Sequence, residues 1–394
     1  MPTVKLLKEE QIVAQQVSTS TITFYSTTDA SHVKTKAYIQ ERVDAIVHAN
    51  PWLTGKLTTG WFNSNVTLEF NPESPPAVVV EEAHLPSLSP QIEYDHLVEL
   101  CTPFMVVTGS SLINSDLPMF RVTWVTISDT QGALFFSVGH GVADGYTYYR
   151  LYGMLSGTTP VEALTQTRVE DYMSRANAAV KGCNDVVPLL LSFPFLVNMV
   201  GKLVLKPAPR RTIHTVNAKW IAQEKAKYKE SSPVGYVSTN DIVTSWAFRA
   251  AKCDFGVMAV NFRGRVDGVD RTLGGNYEML IGYQPEDYST PALIRESLET
   301  NGYRRVRSGK FPSMWTGSSG VVSSWVTLYE PAELPGWTMV EHLPCVSGKS
   351  AFSAVIVFFK RTPTSVGVML ACHDKFNVDS DPALARQAAA PAAS

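Results

Sequence analysis

The residues best suited to chemistry lie in one short stretch, SVGHGVADG from Ser137 to Gly145, where a histidine directly follows an apolar run and an aspartate comes four residues later. A histidine with an ordinary pKa of about 6.5 is mostly neutral at pH 7 and can accept a proton from a hydroxyl or amine that attacks a carbonyl. His140 is therefore a candidate general base. The alternative is a strand-end histidine whose ring nitrogens bond to backbone carbonyls, and the spacing alone leaves both interpretations open.

Asp144 also allows two roles. Asp144 lies four residues after His140, so its carboxylate could contact and orient the imidazole, or it could face away and hold the loop. Gly139 and Gly141 leave His140 uncrowded and permit a sharp turn after the strand, and Asp144-Gly145 provides a second turn before the next helix. The stretch therefore predicts an imidazole that stands at a strand end and faces a crevice.

A strand and a helix must position this loop. The continuous apolar run 133–138 is typical of a strand buried on both faces, and residues 121–128 alternate as a strand before it. Helical spacing predicts a helix over 146–155 and another over 37–49, which Asn50-Pro51 ends. The other predicted elements are a helix that begins at Ser238 and Thr239 and continues through Ala250, and strands over 256–262, 321–328, 352–359 and 367–371.

Composition restricts the class of protein. The chain has 394 residues, 45% of them hydrophobic and 18% charged, which suits two packed α/β-sized units or one large one and excludes a disordered or fibrous chain. The net charge of 34 − 36 = −2 gives no basic excess for binding nucleic acid. Five widely spaced cysteines without a CxxC pair predict neither disulfides nor structural zinc, so we expect a reduced, cytoplasmic setting. No GxSxG elbow or P-loop motif occurs.

The most unusual segment is VVPLLLSFPFLVNMVGKLVL, residues 186–205, which is almost wholly apolar but contains Pro188, Pro194 and Lys202. A membrane-spanning helix needs about 20 apolar residues without such interruptions. We therefore expect a buried or crevice-lining crossover, with membrane insertion or contact to a membrane surface as the alternatives. The following KPAPRR has linker composition and predicts a domain boundary near residues 206–215.

The motif HGVADG, from His140 to Gly145, resembles the HxxxDG motif of the CoA-dependent acyltransferases related to chloramphenicol acetyltransferase, and especially of the plant-type BAHD acyltransferases. The resemblance covers nearly the whole chain, because further stretches similar to family motifs follow in the family's order. These are NPWLTGKL from Asn50, DLPMF from Asp116, VSTNDIVTSWAFR from Val237, VNFRGR from Val260 with GGN from Gly274, and SSW from Ser323.

The resemblance implies an α/β fold of two chloramphenicol-acetyltransferase-like lobes, each a mixed β-sheet with flanking helices, and an active-site tunnel between them. Residues 1–205 would form the N-terminal lobe that carries HxxxD, and residues 206–394 the C-terminal lobe, with a loose tail from about residue 379. Acyl-CoA would enter from one side and the acceptor from the other.

Matched positions assign the residues of the reaction. His140 would deprotonate the acceptor, which then attacks the thioester without a covalent acyl-enzyme. Asp144 would pair with Arg263 of VNFRGR and, with Gly145, support the loop. Alternation along a strand would put Arg263 and Arg265 on one face, where the alternative is a pair of exposed charges.

Two further sets of candidates follow from what the reaction needs. The oxyanion of a tetrahedral intermediate needs hydrogen-bond donors, and the matched strands offer Asn276, Ser323 and Trp325. Coenzyme A carries phosphates, which basic residues and the amides at the start of a helix can receive. The candidates for that contact are Lys225, Lys227, Ser238 and Thr239, although the two lysines would equally suit a solvated helix face.

One motif departs from the family. LPGWT, from Leu334 to Thr338, stands where the family has DFGWG, so that Gly336 and Trp337 are kept and the aspartate is lost. Because the family's motif has a structural role away from the reacting centre, this difference favours the wider superfamily over its plant-type branch. Gly336 and Trp337 are therefore expected to be structural.

The leading interpretation is a cytoplasmic, monomeric acyltransferase that uses acyl-CoA as co-substrate, with no metal or prosthetic group, and acts on a small-molecule alcohol more readily than on an amine. One alternative takes the acyl group from a carrier protein, as condensation-type relatives do. Another is a non-catalytic member of the fold that binds a ligand.

Overall fold

The computed structural model describes residues 2–60, 63–179, 186–231, 234–299, 302–307, 309–373, 378 and 380–385. Its strands are β1 (Thr3–Lys5), β2 (Thr19–Ser26), β3 (Lys56–Gly60), β4 (Asn63–Glu69), β5 (Glu81–His84), β6 (Phe120–Ser128), β7 (Gln131–Val138), β8 (Arg210–Thr215), β9 (Phe255–Asn261), β10 (Glu278–Tyr283), β11 (Ser319–Ser324), β12 (Thr338–Pro344), β13 (Ala354–Thr362) and β14 (Ser365–Cys372).

Its helices are α1 (Lys8–Val13), α2 (His32–Ala49), α3 (Tyr94–Cys101), α4 (Gly109–Leu112), α5 (Gly145–Gly153), α6 (Tyr172–Ala179), α7 (Val186–Leu190), α8 (Phe193–Leu205), α9 (Ala218–Ser231), α10 (Thr239–Ala250), α11 (Pro285–Tyr288) and α12 (Pro291–Glu299). Short 3-10 helices span Pro51–Thr54 and Thr102–Phe104.

The chain divides into two compact units. The first comprises Met1–Arg175, Asn261–Glu278 and Thr327–Gly348, and the second comprises Ala176–Val260, Met279–Val326 and Lys349–Ser394. Each has a mixed sheet with helices, which confirms the predicted fold class. The first break lies after Arg175 rather than at the predicted 205/206, so that residues 176–205 belong to the second unit, and two later segments return to the first unit. One of them supplies β12, which pairs antiparallel with β2.

The strand that leads to His140 lies in the middle of the first unit's main sheet, whose order is β12-β2-β7-β6-β5. β7 pairs antiparallel with β2 on one side and with β6 on the other. All of its residues from Gly132 to Val138 are buried, as the continuous apolar run predicts. A smaller sheet of order β1-β4-β3 completes the strands of this unit.

The second unit contains a six-stranded sheet of order β10-β9-β11-β13-β14-β8. The predicted closing pair of strands is present as β13 and β14, which run antiparallel with Val357 opposite Met369. β11 ends at Ser324, four residues before the end of the predicted strand 321–328. The core includes Trp246, Phe248 and Phe358.

The apolar segment 186–205 forms two helices, α7 and α8, with a break at Leu191 and Ser192. Pro194 lies in the first turn of α8, where a missing backbone N–H costs no helical hydrogen bond. The expected burial is wrong for one side of the segment, because several of its large apolar side chains are exposed. Among the residues that the structure describes, no helix is both long enough and apolar enough to cross a membrane.

The expectation of a loose tail from about residue 379 is wrong for Asp381 to Ala385. Leu384 is buried and forms a bridge with Val216 beside β8, and the backbone N–H of Ala385 donates to the carbonyl of Thr215 at 2.8 Å. The indole N–H of Trp246 donates to Asp381 at 2.9 Å. Residues 379 and 386–394 lie outside the described residues.

Candidate active site

His140 stands in a turn directly after β7. The N–H of Gly139 donates to the carbonyl of Met119 at 2.8 Å, and a side chain at Gly141 would come within 2.8 Å of Cβ of Ala14. Gly141 is therefore required by close packing. The residue His140 is half-buried, and its Nδ1 is buried without a hydrogen-bond partner in the part of the chain that the structure describes.

The carboxylate of Asp144 is held by groups other than His140. Its Oδ1 accepts from the backbone N–H of Thr147 at 2.9 Å, which caps α5, and its Oδ2 accepts from Arg263 at 2.6 Å and from the N–H of Tyr277 at 3.0 Å. Burial acts to raise the pKa of Asp144, but the Arg263 guanidinium and the backbone donors outweigh it and hold that pKa below its usual value. Asp144 is therefore a fixed anion that supports the loop.

The side chain of Arg263 is fully buried, and its guanidinium donates five hydrogen bonds to acceptors in the first unit. The ring of Tyr146 lies 4.6 Å from its central carbon and that of Tyr277 lies 5.1 Å away. Besides Asp144, its acceptors are the carbonyl oxygens of Leu273 and Gly275 at 2.9 Å each, Oγ1 of Thr147 at 3.1 Å and Oδ1 of Asn261 at 3.2 Å. The ion pair that the family resemblance implies is present.

Arg263 and Arg265 do not share a strand face. β9 ends at Asn261, and both arginines lie in a turn that includes Gly264 with a φ of +72°. The turn sends the side chain of Arg263 inward and leaves Arg265 exposed, so the expected alternation fails there.

A second buried ion pair, which the sequence analysis missed, lies beneath the same loop. Glu10 accepts from Nε of Arg168 at 2.7 Å and from the backbone N–H of Asn276 at 2.9 Å. Arg168 also donates to the carbonyl of Gly274 at 3.2 Å. Gly275 has a φ of +109°, and a Cβ there would lie 2.7 Å from both Arg168 and Glu10. The ion pairs Asp144–Arg263 and Glu10–Arg168 thus both hydrogen-bond to the loop Gly274–Asn276 and hold it in place.

Asn276 connects that loop to His140. Its Nδ2 donates to the carbonyl oxygen of His140 at 2.9 Å, and its Oδ1 is buried with no hydrogen-bond partner among the described residues. This contact makes Asn276 a positioning residue for the turn that carries the imidazole. Its role as an oxyanion donor stays a prediction.

Glu278, the first residue of β10, is a further acidic group at the site that the sequence analysis missed. Burial raises the pKa of Glu278, the nearby charges of His140 and Arg263 lower it, and Asp144 adds to the rise. Its carboxyl group therefore lies within electrostatic range of the imidazole. None of the motifs quoted above includes this position, so only its place two residues after Asn276 could have indicated it.

Ser323 and Trp325, the other predicted oxyanion donors, belong to the second unit. Ser323 lies in β11, and its Oγ accepts from the indole N–H of Trp325 at 3.1 Å. The backbone N–H of Trp325 donates to the carbonyl of Phe358 in β13 at 2.7 Å. Their predicted role stays a prediction.

The predicted phosphate contacts lie on α9 and at the start of α10. Ser238 accepts from the N–H of Asp241 at 3.2 Å, and the buried Asp241 carboxylate accepts from the N–H of Ser238 at 2.7 Å and pairs with Arg295 at 2.6 Å. A carboxylate of the chain itself thus occupies the start of this helix, and Ser238 and Asp241 cap it. Lys225 and Lys227 are exposed on α9. A phosphate site at these lysines, Ser238 and Thr239 stays a prediction.

The LPGWT segment forms a turn in the first unit. The N–H of Trp337 donates to the carbonyl of Leu334 at 3.0 Å, and Gly336 has a φ of +77°, which explains the glycine. The indole N–H of Trp337 donates to Oγ1 of Thr35 at 2.7 Å, and its ring packs edge-on against Trp124. Leu334 is buried where the family has an aspartate. The turn is held without that carboxylate.

Comparison with solved structures shows several with the same fold. TRI101 of F. sporotrichioides, complexed with coenzyme A and T-2, aligns with a TM-score of 0.64 at 15% identity over 93% of this chain and 94% of that one. TRI101 of F. graminearum, complexed with coenzyme A and deoxynivalenol, has a TM-score of 0.61 at 14% identity over 94% and 95%.

A third similar structure is the first condensation domain of the calcium-dependent antibiotic synthetase in complex with a substrate analogue, with a TM-score of 0.59 at 12% identity over 94% and 91% of the two chains. No family model and no curated protein matches the sequence. Identities this low establish the fold alone. The chain therefore has the chloramphenicol-acetyltransferase-like α/β fold that its motifs imply.

Proposed function

We propose that the protein is an acyl-CoA-dependent acyltransferase in which His140 is the general base. The imidazole takes the proton of the acceptor's hydroxyl or amine as that group attacks the thioester carbonyl. The new acyl–oxygen or acyl–nitrogen bond forms, the carbon–sulfur bond breaks, and the proton on His140 passes to the departing thiolate of coenzyme A. A base that collects and returns one proton in this way needs no covalent acyl-enzyme.

The observation that carries the proposal is the way the His140 turn is fixed. Its backbone carbonyl is held by Asn276, whose loop rests on the two buried ion pairs, Asp144–Arg263 and Glu10–Arg168. These contacts hold the backbone of the turn and so restrict the position of the imidazole. Positioning of a catalytic group accounts for a large part of rate acceleration. Among the described residues, Nδ1 of His140 has no hydrogen-bond partner, whereas both ring nitrogens of the buried His342 have one.

The other roles are assigned with the support of the motifs. Asp144 acts through the loop and does not carry a proton, because both of its oxygens already accept hydrogen bonds. Glu278, which none of these motifs includes, is a further carboxyl group within electrostatic range of the imidazole. Ser323 and Trp325 are our candidates for donors to the oxyanion, and Lys225, Lys227, Ser238 and Thr239 for contacts to coenzyme A.

Coenzyme A is the proposed acyl carrier because structures of this fold bind it, as the two TRI101 complexes do. The likeness to a condensation domain supports a second candidate, in which a carrier protein presents the acyl group. The acceptor in both cases is a small molecule with a hydroxyl or amine group, and the motif resemblance favours the hydroxyl.

Release of the coenzyme A thiol tests the proposal directly. Acetyl-, malonyl-, aromatic and long-chain acyl-CoAs are each incubated with a mixture of alcohols and a separate mixture of amines. We expect release that depends on both one donor class and one acceptor mixture. A folded protein that releases no thiol from any donor would contradict the use of acyl-CoA.

The same assay with acyl groups on a phosphopantetheinylated carrier protein separates the remaining alternatives. Transfer from the carrier alone would replace our proposal with the condensation-type reaction. Tight binding of a donor or acceptor without transfer would identify a non-catalytic member of the fold.

A further inference from the structure

Helix α8 exposes its apolar side chains. Phe193, Val197, Val200 and Val204 recur at the spacing of one helical face, and all four are exposed, Phe193 at 69% and Val204 at 70%. An ordinary surface helix has this pattern reversed, with polar residues outward. The arrangement therefore leaves a continuous apolar stripe on the outside of the second unit.

The polar side chains of α8 face inward instead. Asn198 donates to the carbonyl oxygen of Met314 at 3.0 Å, and the buried Lys202 donates to the carbonyl of Gly317 and to Oγ of Ser319 at 3.3 Å each. These bonds fix the rotation of α8 about its axis. The outward direction of the apolar stripe is thus determined by specific contacts to the segment 314–319.

Neighbouring elements extend the stripe into a surface. The ring of Trp315, 52% exposed, meets that of Phe193 edge-on at 5.5 Å, and apolar residues of α7 and of its junction with α8 are exposed as well. We call this surface the α7–α8 face. It consists of Val187, Leu191, Phe193, Leu196, Val197, Val200, Val204, Leu205 and Trp315.

The charged residues of the two segments that supply most of the α7–α8 face, 186–211 and 302–318, are all cationic. Arg210, Arg304, Arg307 and Lys310 are exposed, Lys206 and Arg211 are half-buried, and Lys202 and Arg305 are buried. One exposed carboxylate, that of Asp254, lies beside them and accepts from the N–H of Ser318 at 2.8 Å. Lys349, which is exposed, donates to the carbonyl of Leu203 at 2.8 Å in the last turn of α8. Neither segment contains an aspartate or glutamate.

We propose that the α7–α8 face docks on the surface of an anionic lipid bilayer, with α8 lying in the plane of the headgroups. An exposed apolar stripe with aromatic rings and surrounding cations suits that boundary, where acyl chains meet negative charge. A second copy of the chain fits less well, because a symmetric dimer through this face would place cation against cation. This inference does not depend on the acyltransferase reaction.

Flotation of the full chain with lipid vesicles tests the proposal. We expect about tenfold more protein bound to phosphatidylcholine vesicles that contain phosphatidylserine than to phosphatidylcholine alone. The double variant Phe193→Ser/Val204→Ser should reduce that binding by about tenfold. The matched control is Val33→Ser/Val79→Ser, which replaces two exposed valines of the first unit and should bind as the wild type does.

Quenching of tryptophan fluorescence by brominated lipids locates the contact. We expect quenching in the wild type that largely disappears in Trp315→Phe. The proposal is overturned if the wild type does not float with anionic vesicles, if both double variants float equally well, or if the protein forms a dimer that Phe193→Ser/Val204→Ser dissociates while no lipid is bound.

Discussion

Two histidines of the first unit show what separates a candidate catalyst from a structural side chain. His342, in β12, is completely buried; its Nδ1 lies 2.7 Å from Oγ1 of Thr23, and its Nε2 lies 3.0 Å from the hydroxyl of Tyr149. Burial lowers the pKa of His342 to about 3, so its ring stays neutral at physiological pH. His140 is half-buried, with Nδ1 unpartnered in the described part of the chain.

The two rings also differ in the charge of their surroundings. His342 lies among the uncharged rings of Tyr149, Tyr152 and Tyr329. The turn of His140, in contrast, is held by a loop that two buried ion pairs fix, and the carboxyl group of Glu278 lies near the ring. An unmet hydrogen bond alone does not set His140 apart, because the half-buried His373 of the second unit also has both ring nitrogens without partners among the described residues. What distinguishes His140 is that buried ion pairs hold the turn that carries it.

The largest expected effect comes from breaking the Asp144–Arg263 ion pair that supports the His140 turn. Asp144→Ala leaves the buried Arg263 without its anion, and we expect the free energy of unfolding to fall by about 3–5 kcal/mol. Urea denaturation measures it. Glu82→Ala, which removes a partly exposed ion pair with Lys36, is the control and should stay within about 1 kcal/mol of wild type. A loss of stability in Asp144→Ala no larger than in this control would show that the Asp144–Arg263 ion pair does not stabilise this loop.

The second prediction concerns His342 and pH. In the unfolded chain an ordinary histidine takes up a proton below about pH 6.5, but the folded His342 does so only near pH 3. The unfolded state thus binds more protons between these limits, so stability falls as pH falls, by at most about 1.4 kcal/mol per pH unit.

His342→Gln isolates this contribution. The variant removes the titrating ring, so we expect its unfolding free energy to depend less steeply on pH between about 6.5 and 3 than that of the wild type. Urea denaturation at a series of pH values gives both slopes. Equal slopes would show that His342 is not buried in neutral form.

How much of this could be read from the sequence differs between the parts of the site. Motif spacing identified His140, Asp144 and Arg263, and periodicity identified β6, β7 and α5, because these features are local. Glu10 and Arg168 meet across 158 positions of sequence, and no local pattern predicts such a pair. The return of β12 to the first unit is of the same kind, since strand pairing between distant segments depends on the whole fold.

For the apolar segment 186–205, the sequence indicated an unusual element but not the direction in which its side chains face. Its composition correctly indicated an unusual element, but hydrophobicity alone suggested burial. The direction in which α8 faces depends on the bonds of Asn198 and Lys202 to the segment 314–319, more than a hundred residues away. Those partners could not be inferred from the helix itself.

A smaller effect is expected from Glu278→Gln. Burial raises the pKa of Glu278, so the folded state holds its proton more tightly than the unfolded state and stability falls as pH rises above about 4.3, the ordinary value for glutamate. Because glutamine does not ionise, we expect the unfolding free energy of Glu278→Gln to fall less steeply with rising pH than that of the wild type, as urea denaturation at a series of pH values measures. Glu82→Gln, a carboxylate of the exposed pair, is the control. Equal slopes in Glu278→Gln and the wild type would show that burial does not raise the pKa of Glu278.

The smallest effect is expected at the LPGWT turn. Trp337→Phe keeps the ring packing but removes the hydrogen bond to Thr35, which should cost about 1 kcal/mol of unfolding free energy. Combining it with Thr35→Val in a double-mutant cycle measures the coupling between the two side chains. No coupling would show that this hydrogen bond does not hold the turn. Turnover should be unchanged throughout.

Substitution of the two histidines separates a catalytic role from a structural one. Once a donor and acceptor are known, His140→Ala should lower kcat/KM by about 10² to 10⁴ while leaving the unfolding free energy within about 0.5 kcal/mol of wild type. His342→Gln should do the reverse, reducing stability while the folded fraction keeps its turnover. Full turnover by His140→Ala would show that His140 is not the general base.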